Sequence, residues 1–269
     1  MVPVSTRTSS IRAERATPAA APWLGRTAWS LGSLLALVAV WEVAALLLSS
    51  RLFPSPVQVL EALIREIRSG SLLTHVGATL ARVIVSFALA MLIGSAIGLF
   101  LGRHKGADRF FDSWLIFFLN LPALVIIILC YVWFGLTELA AITAVAINKI
   151  PNVAVTVREG ARSLSKDLAE MATVYRFGRT KTLRHVTVPQ LAPFFTAAAR
   201  SGLALVWKIV LVVELLGRST GVGHQLNVAF QLFDVPMILA YAIAFIAVVQ
   251  VIEVGLLQPL DVRVNRWRR

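Results

Sequence analysis

Six long apolar runs are the feature of this chain that most limits how it can fold. They cover residues 28–48, 76–101, 113–134, 139–157, 190–216 and 237–257. A helix that crosses the hydrocarbon core of a bilayer needs about 20 predominantly apolar residues, and each run is close to that length or longer. Hydrophobic residues make up 58% of the chain, too large a share for a soluble domain. The sequence therefore predicts an all-α, polytopic membrane protein with about six transmembrane helices.

Basic residues cluster in the short segments between the apolar runs. Of the 26 Lys and Arg residues, 18 fall in segments on one predicted side of the membrane and four in segments on the other side. Because Lys and Arg accumulate in cytoplasmic loops, this bias predicts that both termini and the polar segment 158–189 are cytoplasmic. The net charge of +12 is explained by these basic segments beside the membrane, so we do not expect nucleic acid as a partner.

Local patterns modify this picture of six straight spans. Residues 57–68 are amphipathic at helical spacing and predict a helix that lies flat on the external surface. Pro122 predicts a kink within the third span, and the fourth span is predicted to break at 148–151. Segment 217–236 is polar and predicts a re-entrant or surface element outside the membrane. A stripe of small residues predicts close helix packing: Ala90, Gly94, Gly98 and Gly102.

The segment 158–189 is the one long polar stretch between apolar runs. It contains seven Lys and Arg residues, and its apolar side chains recur at helical spacing. Asp167 and Glu170 stand three residues apart, as an N-cap residue and its reciprocal partner do. Gly178 interrupts the pattern, and Pro189 opens the next apolar run. We therefore predict a short helix, a bend and a second short helix on the membrane surface.

Motifs in and around this segment resemble those of a known family. Glu170-Met171-Ala172 with Val188-Pro189 resembles the cytoplasmic "EAA" loop of bacterial ABC importer permeases. Leu52-Phe53-Pro54-Ser55-Pro56 and Trp133-Phe134-Gly135, the latter following Pro122, resemble two further segments of that family, as does ARSGLALVWKIVLVVELLG. The likeness covers roughly residues 30–262 and is greatest to the nitrate/sulfonate/taurine branch. The chain departs from the pattern where Arg176 replaces the loop glycine, Met171 an Ala and Val188 a Leu.

The resemblance implies a complex in the bacterial inner membrane. Two copies of the permease would form the pathway, two ATPase subunits would dock on the loops 158–189, and an external solute-binding protein would deliver a small, anionic solute. The chain has no GK[ST] loop, so it is not itself an enzyme, and ATP and Mg would be held by the partner ATPase. We expect no cofactor and no metal site in this chain. The domains would be a disordered tail, 1–27, the transmembrane domain, 28–262, and a basic tail, 263–269.

The resemblance also implies which residues contact the ATPase. The coupling helix of the family docks into a cleft of that subunit, and its counterpart here lies within 158–189. The predicted docking residues are Asp167, Glu170, Met171, Ala172, Thr173, Tyr175, Arg176, Gly178 and Arg179.

Polar residues inside the apolar runs are candidates for the transport pathway. They are Asn120, Lys149, Arg200, Trp207, Lys208 and Glu214. Such groups are costly in a bilayer and usually face the protein interior or a cavity, so packing and subunit contact remain alternatives to substrate contact. Lys208 has no acid one turn away and must pair with another helix, for example at Glu42 or Glu253, or face the pathway. A positive pathway would favour a small anion.

Two other classes of function remain open on sequence alone. One is a transporter coupled to protons or ions that acts without an ATPase, and the other is a membrane scaffold whose loop recruits a soluble partner. The chain lacks the internal repeat of many secondary transporters, and its cytoplasmic loop is amphipathic. Both observations favour the importer.

Overall fold

The computed structural model describes residues 22–48, 50, 52–257 and 259, and all regular elements in these ranges are helical. The chain divides into two compact units, residues 1–56 and 57–269. In the first unit, helix α1 (Pro22–Leu48) begins before the predicted span, and the Trp41 indole donates to the Pro54 carbonyl at 3.0 Å. The predicted tail 1–27 lies outside the described residues as far as residue 21, and the predicted tail 263–269 lies outside them entirely.

Ten further helices follow α1 in the described part of the chain. They are α2 (Pro56–Arg68), α3 (Ser71–Arg103), α4 (Lys105–Asn120), α5 (Ala123–Phe134), α6 (Glu138–Arg162), α7 (Lys166–Val174), α8 (Arg179–Thr182), α9 (Val188–Gly217), α10 (Val222–Gln231) and α11 (Val235–Ile252). Two π-helical segments, Leu183–Thr187 and Glu253–Leu257, continue α8 and α11. The all-helical fold class predicted from the apolar runs is confirmed.

Three of these helices are long and apolar enough to cross a membrane: α3, α6, and α11 with its extension to Gly255. The pair α4 and α5 would add a fourth span if the two are taken together. Helix α9 has 30 residues, and three charged residues, Arg200, Lys208 and Glu214, interrupt its apolar sequence. The apolar part of α1, Gly32–Leu48, is shorter than a full span.

Helices α3, α6 and α9 form the centre of the second unit. The small-residue stripe of α3 faces α6: Gly94 lies against Val153, Gly98 against Val157 and Gly102 against Ala161. Contact positions rise together along the two helices, so α3 and α6 are parallel. Helix α9 runs opposite to both, because Phe194 near its start meets Gly160 and Gly202 at its middle meets Lys149. The predicted stripe thus packs helices within one chain.

Pro122 and Pro151, which lie inside apolar runs, behave differently from the prediction. At Pro122 the chain does not kink but turns: α4 and α5 are separate helices at 93°, and Leu121 is extended, as a residue before proline prefers. An apolar cavity of about 510 Å³ lies between α3, α4 and α6 and is lined by Phe118 near the end of α4. At Pro151 the predicted break is absent, because α6 is helical from Glu138 to Arg162.

Helix α2 and the segment 217–236 also differ in detail from the prediction. The apolar face predicted for α2 is exposed, whereas Val59 and Ala62 on another face are buried and Leu63 packs against the core. Within 217–236, α10 is a ten-residue helix whose first residues, Val222 and Gly223, are buried against neighbouring helices. This segment is therefore packed into the molecule at its start and not wholly on the surface.

Candidate functional site

The polar segment after α6 begins with a capped short helix. Ser165 is the N-cap of α7, and its hydroxyl accepts a hydrogen bond from the Leu168 amide at 3.4 Å. The predicted cap at Asp167 is therefore wrong: Asp167 lies in the first turn, where a carboxylate favours the positive end of the helix dipole. Leu168 occupies the position that a capping box would give to Glu170, so the predicted box is not formed.

The predicted bend after α7 falls on Arg176 and not on Gly178, the residue that interrupts the helical pattern in the sequence. Arg176 has φ 53°, the left-handed conformation that usually selects glycine, whereas Gly178 has an ordinary φ of −63°. The Phe177 amide donates to the Ala172 carbonyl at 2.8 Å, and the Arg176 amide donates to the Thr173 carbonyl at 3.0 Å. By the motif spacing given above, Arg176 is also the position at which the resembling family has its loop glycine.

Helix α7 presents almost its whole surface to the outside. Ala172 is the buried exception, at 2% exposure, and it faces the body of the protein. Exposed apolar side chains cover the rest of the helix end, with Val174 at 78% and Tyr175 at 70%. The remaining predicted docking residues are exposed as well: Asp167, Glu170, Met171, Thr173, Arg176, Gly178 and Arg179. The segment thus has an apolar, accessible face with a basic border.

A continuous helical path connects this segment with α9. Helix α8, the π-helical segment and α9 follow one another without a break from Arg179 to Gly217, and Thr182 and Thr187 at the junctions keep helical dihedral angles. The predicted second short helix is therefore continuous with α9, the helix of the fifth apolar run. Gln190 fixes the two ends of the segment to each other, because its Oε1 accepts from the Ser165 amide and its Nε2 donates to the Val186 carbonyl, both at 2.9 Å.

Arg158 and Arg162, predicted as loop residues, belong to the last turns of α6. The buried Arg158 donates from Nη1 to Asp112 Oδ1 at 2.6 Å and to Asp108 Oδ1 at 3.3 Å. Arg162 also pairs with Asp108 and donates to Glu159 at 2.8 Å. This cluster fixes α4 to α6 beside the loop. Sequence reasoning missed Asp108 and Asp112, whose spacing of four residues near a basic turn was the available signal.

A second ionic cluster lies at the opposite end of α9 and is centred on Arg82 of α3. The guanidinium donates two hydrogen bonds to the carboxylate of Glu138, the first residue of α6, from Nε at 2.9 Å and from Nη2 at 2.7 Å. Nη1 donates to Glu214 Oε1 at 2.7 Å and to the Thr220 carbonyl at 2.6 Å, and Nη2 donates to the Thr220 hydroxyl at 2.7 Å. Arg218 adds a second cation on Glu138, at 2.5 Å. The sequence analysis left Arg82 without a role.

Glu214, a predicted pathway residue, is fully buried in this cluster. Its Oε2 accepts from the Thr79 hydroxyl and from the Gly223 amide, both at 2.9 Å. The Thr79 hydroxyl also accepts from the Val222 amide at 2.9 Å, so the first turn of α10 rests on α3 and α9. With two arginines and two glutamates, the cluster is electrically neutral, which is the arrangement that makes buried charge tolerable.

The structure does not bring the other predicted pathway residues together. Lys149 and Trp207 are buried in the packing of α3, α6, α9 and α11, with Trp207 edge-on to Phe245. Asn120, Arg200 and Lys208 are exposed. Arg200 pairs with Glu253 at 3.6 Å, so that glutamate is engaged by Arg200, while Lys208 makes no hydrogen bond or ion pair within the described residues. The pathway assignment of these residues stays a prediction.

Comparisons with known proteins identify the family and agree with the helical fold. Residues 90–257 match the family described as the binding-protein-dependent transport system inner membrane component. The permease protein SsuC of Bacillus subtilis (strain 168), whose name assigns it to aliphatic sulfonate transport, is 28% identical over 92% of this chain and 91% of its own. The taurine transport permease TauC of Escherichia coli (strain K12) is 28% identical over 88% and 89%. The riboflavin transport permease RibX of Chloroflexus aurantiacus is 28% identical over 86% and 88%.

Two solved structures share the fold. A chain of the MetNI methionine ABC transporter, in an inward-facing conformation, superimposes with a TM-score of 0.56 at 18% identity, over 68% of this chain and 92% of its own. A chain of an amino acid ABC transporter solved with histidines superimposes with a TM-score of 0.58 at 20% identity, over 75% and 97%. At these identities the likeness concerns the helical architecture.

Proposed function

This chain belongs to the family of binding-protein-dependent transport system inner membrane components, and from that premise we propose how its parts serve an importer. The chain is the membrane subunit, and ATP is hydrolysed by a separate ATPase subunit, which would hold ATP and Mg. Two copies of this chain would enclose the pathway, with two ATPase subunits on one side and a solute-binding protein on the other. Both termini and the loop would be cytoplasmic, in line with the bias of Lys and Arg.

The exposed face of α7 carries the proposal for ATPase docking. Apolar side chains at Leu168, Met171, Val174 and Tyr175 are between 37% and 78% exposed. A short amphipathic helix with an uncovered apolar face typically docks into a groove of a partner. Gln190 in the first turn of α9 accepts a hydrogen bond from the Ser165 amide at the start of α7, so a displacement of the docked α7 would be passed to α9.

The test is to change the docking face without changing the membrane domain. Tyr175→Asp and Glu170→Lys should insert normally but reduce co-purification of the ATPase and solute uptake. Thr180→Asp is the control for Tyr175→Asp, since it adds the same negative charge at an exposed residue beyond the bend. Uptake equal to wild type in both docking variants, at equal expression, would refute the docking role.

Lys208 carries the proposal for an anionic solute. It is exposed on α9 between apolar and small neighbours, and a charge near the bilayer centre costs about 2.5–3.5 kcal/mol on insertion scales. In the assembled complex it therefore needs water or an anion, and a pathway between two subunits would supply both. The relatives named for sulfonates and taurine support an anion, but the relative named for riboflavin is equally similar, so names alone do not select the solute.

Solute charge is tested by substitution at Lys208 in complexes that assemble. Lys208→Gln and Lys208→Glu should lower uptake of an alkyl sulfonate, and Lys208→Arg should retain most of it because the charge is kept. Unchanged uptake in the first two variants, or a cation co-purifying with the binding protein, would contradict the proposal.

A further inference from the structure

The Arg82 cluster joins α3, α6 and the segment before α10 at the end of α9 opposite the loop. Every nitrogen of the guanidinium is hydrogen-bonded, and its acceptors lie on α6, on α9 and in the turn before α10. Arginine suits this position because its planar fork can hold a carboxylate with two donors while using the remaining donors elsewhere. One side chain of α3 thus fixes three other segments.

Helix α10 is attached to this cluster by hydrogen bonds from its first turn, which fix its position. The Val222 and Gly223 amides donate to Thr79 and Glu214, and the Gly221 amide donates to His75 Nδ1 at 3.0 Å. A Cβ at Gly221 would collide with the Glu214 carboxylate, and Gly221 has φ 117°, which suits only glycine. The turn is therefore shaped to the carboxylate.

The same cluster is the far end of the helical path from the loop. From Arg179 to Gly217 the chain stays helical, which at 1.5 Å per residue gives a length of roughly 55–60 Å. Glu214 lies in the last turn of this path, and Arg218 and Thr220 follow directly. A movement imposed at the loop reaches the cluster through a helix that has no break.

We propose that Arg82 is a positioning residue for transport, which ties α10 to the end of α9 so that movement starting at the cytoplasmic loop also moves α10. The inference rests on the proposed docking of the ATPase at that loop. Binding at the two ends is then coupled in both directions, because the coupling free energy between two binding sites is reciprocal. A binding protein that acts on the α10 side would stimulate ATP hydrolysis through the same contacts.

A charge-neutral double substitution separates this role from simple stability. Arg82→Gln alone would leave a buried carboxylate without a cation, which strongly destabilises proteins. Arg82→Gln with Glu214→Gln removes one ion of each sign and leaves Glu138 with Arg218. The matched control is Arg158→Gln with Asp112→Asn, which removes a comparable pair between α4 and α6, leaves Asp108 with Arg162, and does not touch α9 or α10.

The decisive quantity is the ratio of ATP hydrolysis with liganded binding protein to ATP hydrolysis without it, per assembled complex in vesicles. In the Arg82/Glu214 double variant we expect unstimulated hydrolysis to persist while the ratio and uptake fall about tenfold, a size typical of coupling between distant sites. The control should keep the wild-type ratio, and Arg82→Lys should recover part of it. A wild-type ratio and wild-type uptake in the double variant would overturn the proposal.

A milder variant decides the case if the double variant does not assemble. Thr79→Val removes the hydroxyl that links Glu214 to the Val222 amide and changes no charge. The ratio should fall in this variant too, because Glu214 then holds α10 through the Gly223 amide alone. An unchanged ratio in both Thr79→Val and Arg82→Lys would overturn the proposal. If the wild-type complex itself shows no ATPase association or no stimulation, the proposed function fails instead, so the two failures are distinguishable.

Discussion

Two residues other than glycine adopt a left-handed backbone in the described part of the chain, Arg176 with φ 53° and Phe233 with φ 54°. Each follows the end of a short helix, and in each case the next amide donates back across the turn, to Ala172 and Ala229 respectively. This is the hydrogen-bond pattern of a helix end that usually contains glycine. Both turns therefore hold a side chain in an unfavourable conformation on an exposed surface.

Arg176→Gly should stabilise the bend after α7. The left-handed conformation costs a residue with a Cβ about 1–2 kcal/mol, and glycine avoids that cost. We expect slower hydrogen exchange of the amides of residues 172–177, measured by mass spectrometry on the purified complex. Arg176→Ala is the control, because it removes the charge but keeps the Cβ and should not slow exchange.

Gly178→Ala serves as the reciprocal control for the same bend. Gly178 has an ordinary φ and open space where a Cβ would be, so alanine should be tolerated without loss of protection. Faster exchange in Gly178→Ala together with unchanged exchange in Arg176→Gly would place the bend at Gly178, as the sequence alone suggested.

At the scale of helices, the glycine stripe of α3 makes a specific prediction. A Cβ at Gly98 would lie 2.5 Å from the Ala154 carbonyl oxygen and 2.9 Å from Val157 Cβ, so Gly98→Ala must push α3 and α6 apart. Overpacking of this kind typically costs about 1–3 kcal/mol. We expect a lower thermal unfolding temperature of the detergent-purified permease.

The control for Gly98 lies on the same helix. Gly77 has nothing within 4 Å of a Cβ position, so Gly77→Ala should raise stability slightly, by about 0.5–1 kcal/mol through helix propensity. Equal unfolding temperatures for Gly98→Ala and Gly77→Ala would show that the close contact of α3 with α6 is not essential.

Two prolines, Pro122 and Pro151, show which features of these helices the sequence can predict and which it cannot. The apolar runs predicted the positions of most helices, because a helix that crosses a bilayer needs about 20 apolar residues. Pro122 and Pro151 look alike in sequence, yet the chain turns at the first and stays helical at the second. Pro151 is buried beside Ile150 and Val153, which lie against Gly94 of α3, so tertiary packing supports that helix. No local pattern contains that information.

The pairing of buried charges likewise could not be predicted from the sequence. Arg82 is 56 residues from Glu138 and 132 from Glu214, so no spacing rule links them. The left-handed turn at Arg176 was hidden for a different reason, because the expected glycine was present two positions later. The loop face was predictable, since its helical spacing and its exposure follow from the same apolar residues.

At the scale of the whole molecule, the basic border of the loop predicts salt-sensitive assembly. Lys166, Arg179, Lys181 and Arg184 are exposed around the apolar face of α7. Raising the salt from about 0.1 M to about 1 M shortens the Debye length from about 10 Å to about 3 Å, which weakens attraction between exposed charges. We expect slower association of the ATPase subunit with the permease, measured by surface plasmon resonance.

Lys181→Gln with Arg184→Gln provides the matched comparison for assembly. This double variant should associate more slowly at low salt and show a smaller salt dependence, because rim charges mainly affect association rates. Association that is independent of salt in the wild type would mean that the apolar face alone accounts for binding.

The distance in sequence between Arg82 and its carboxylates also constrains biosynthesis. A ribosome makes α3 well before α6 and α9, so the guanidinium enters the insertion machinery with neither Glu138 nor Glu214 yet synthesised. We therefore expect a stalled chain whose residues up to 137 have left the ribosome to remain in contact with the translocon, and one whose residues up to 217 have left it to be released into lipid. Cross-linking of stalled chains would measure this, and early release of the shorter chain would contradict it. If the expectation holds, α3 enters the lipid only after α6 and α9 have been synthesised.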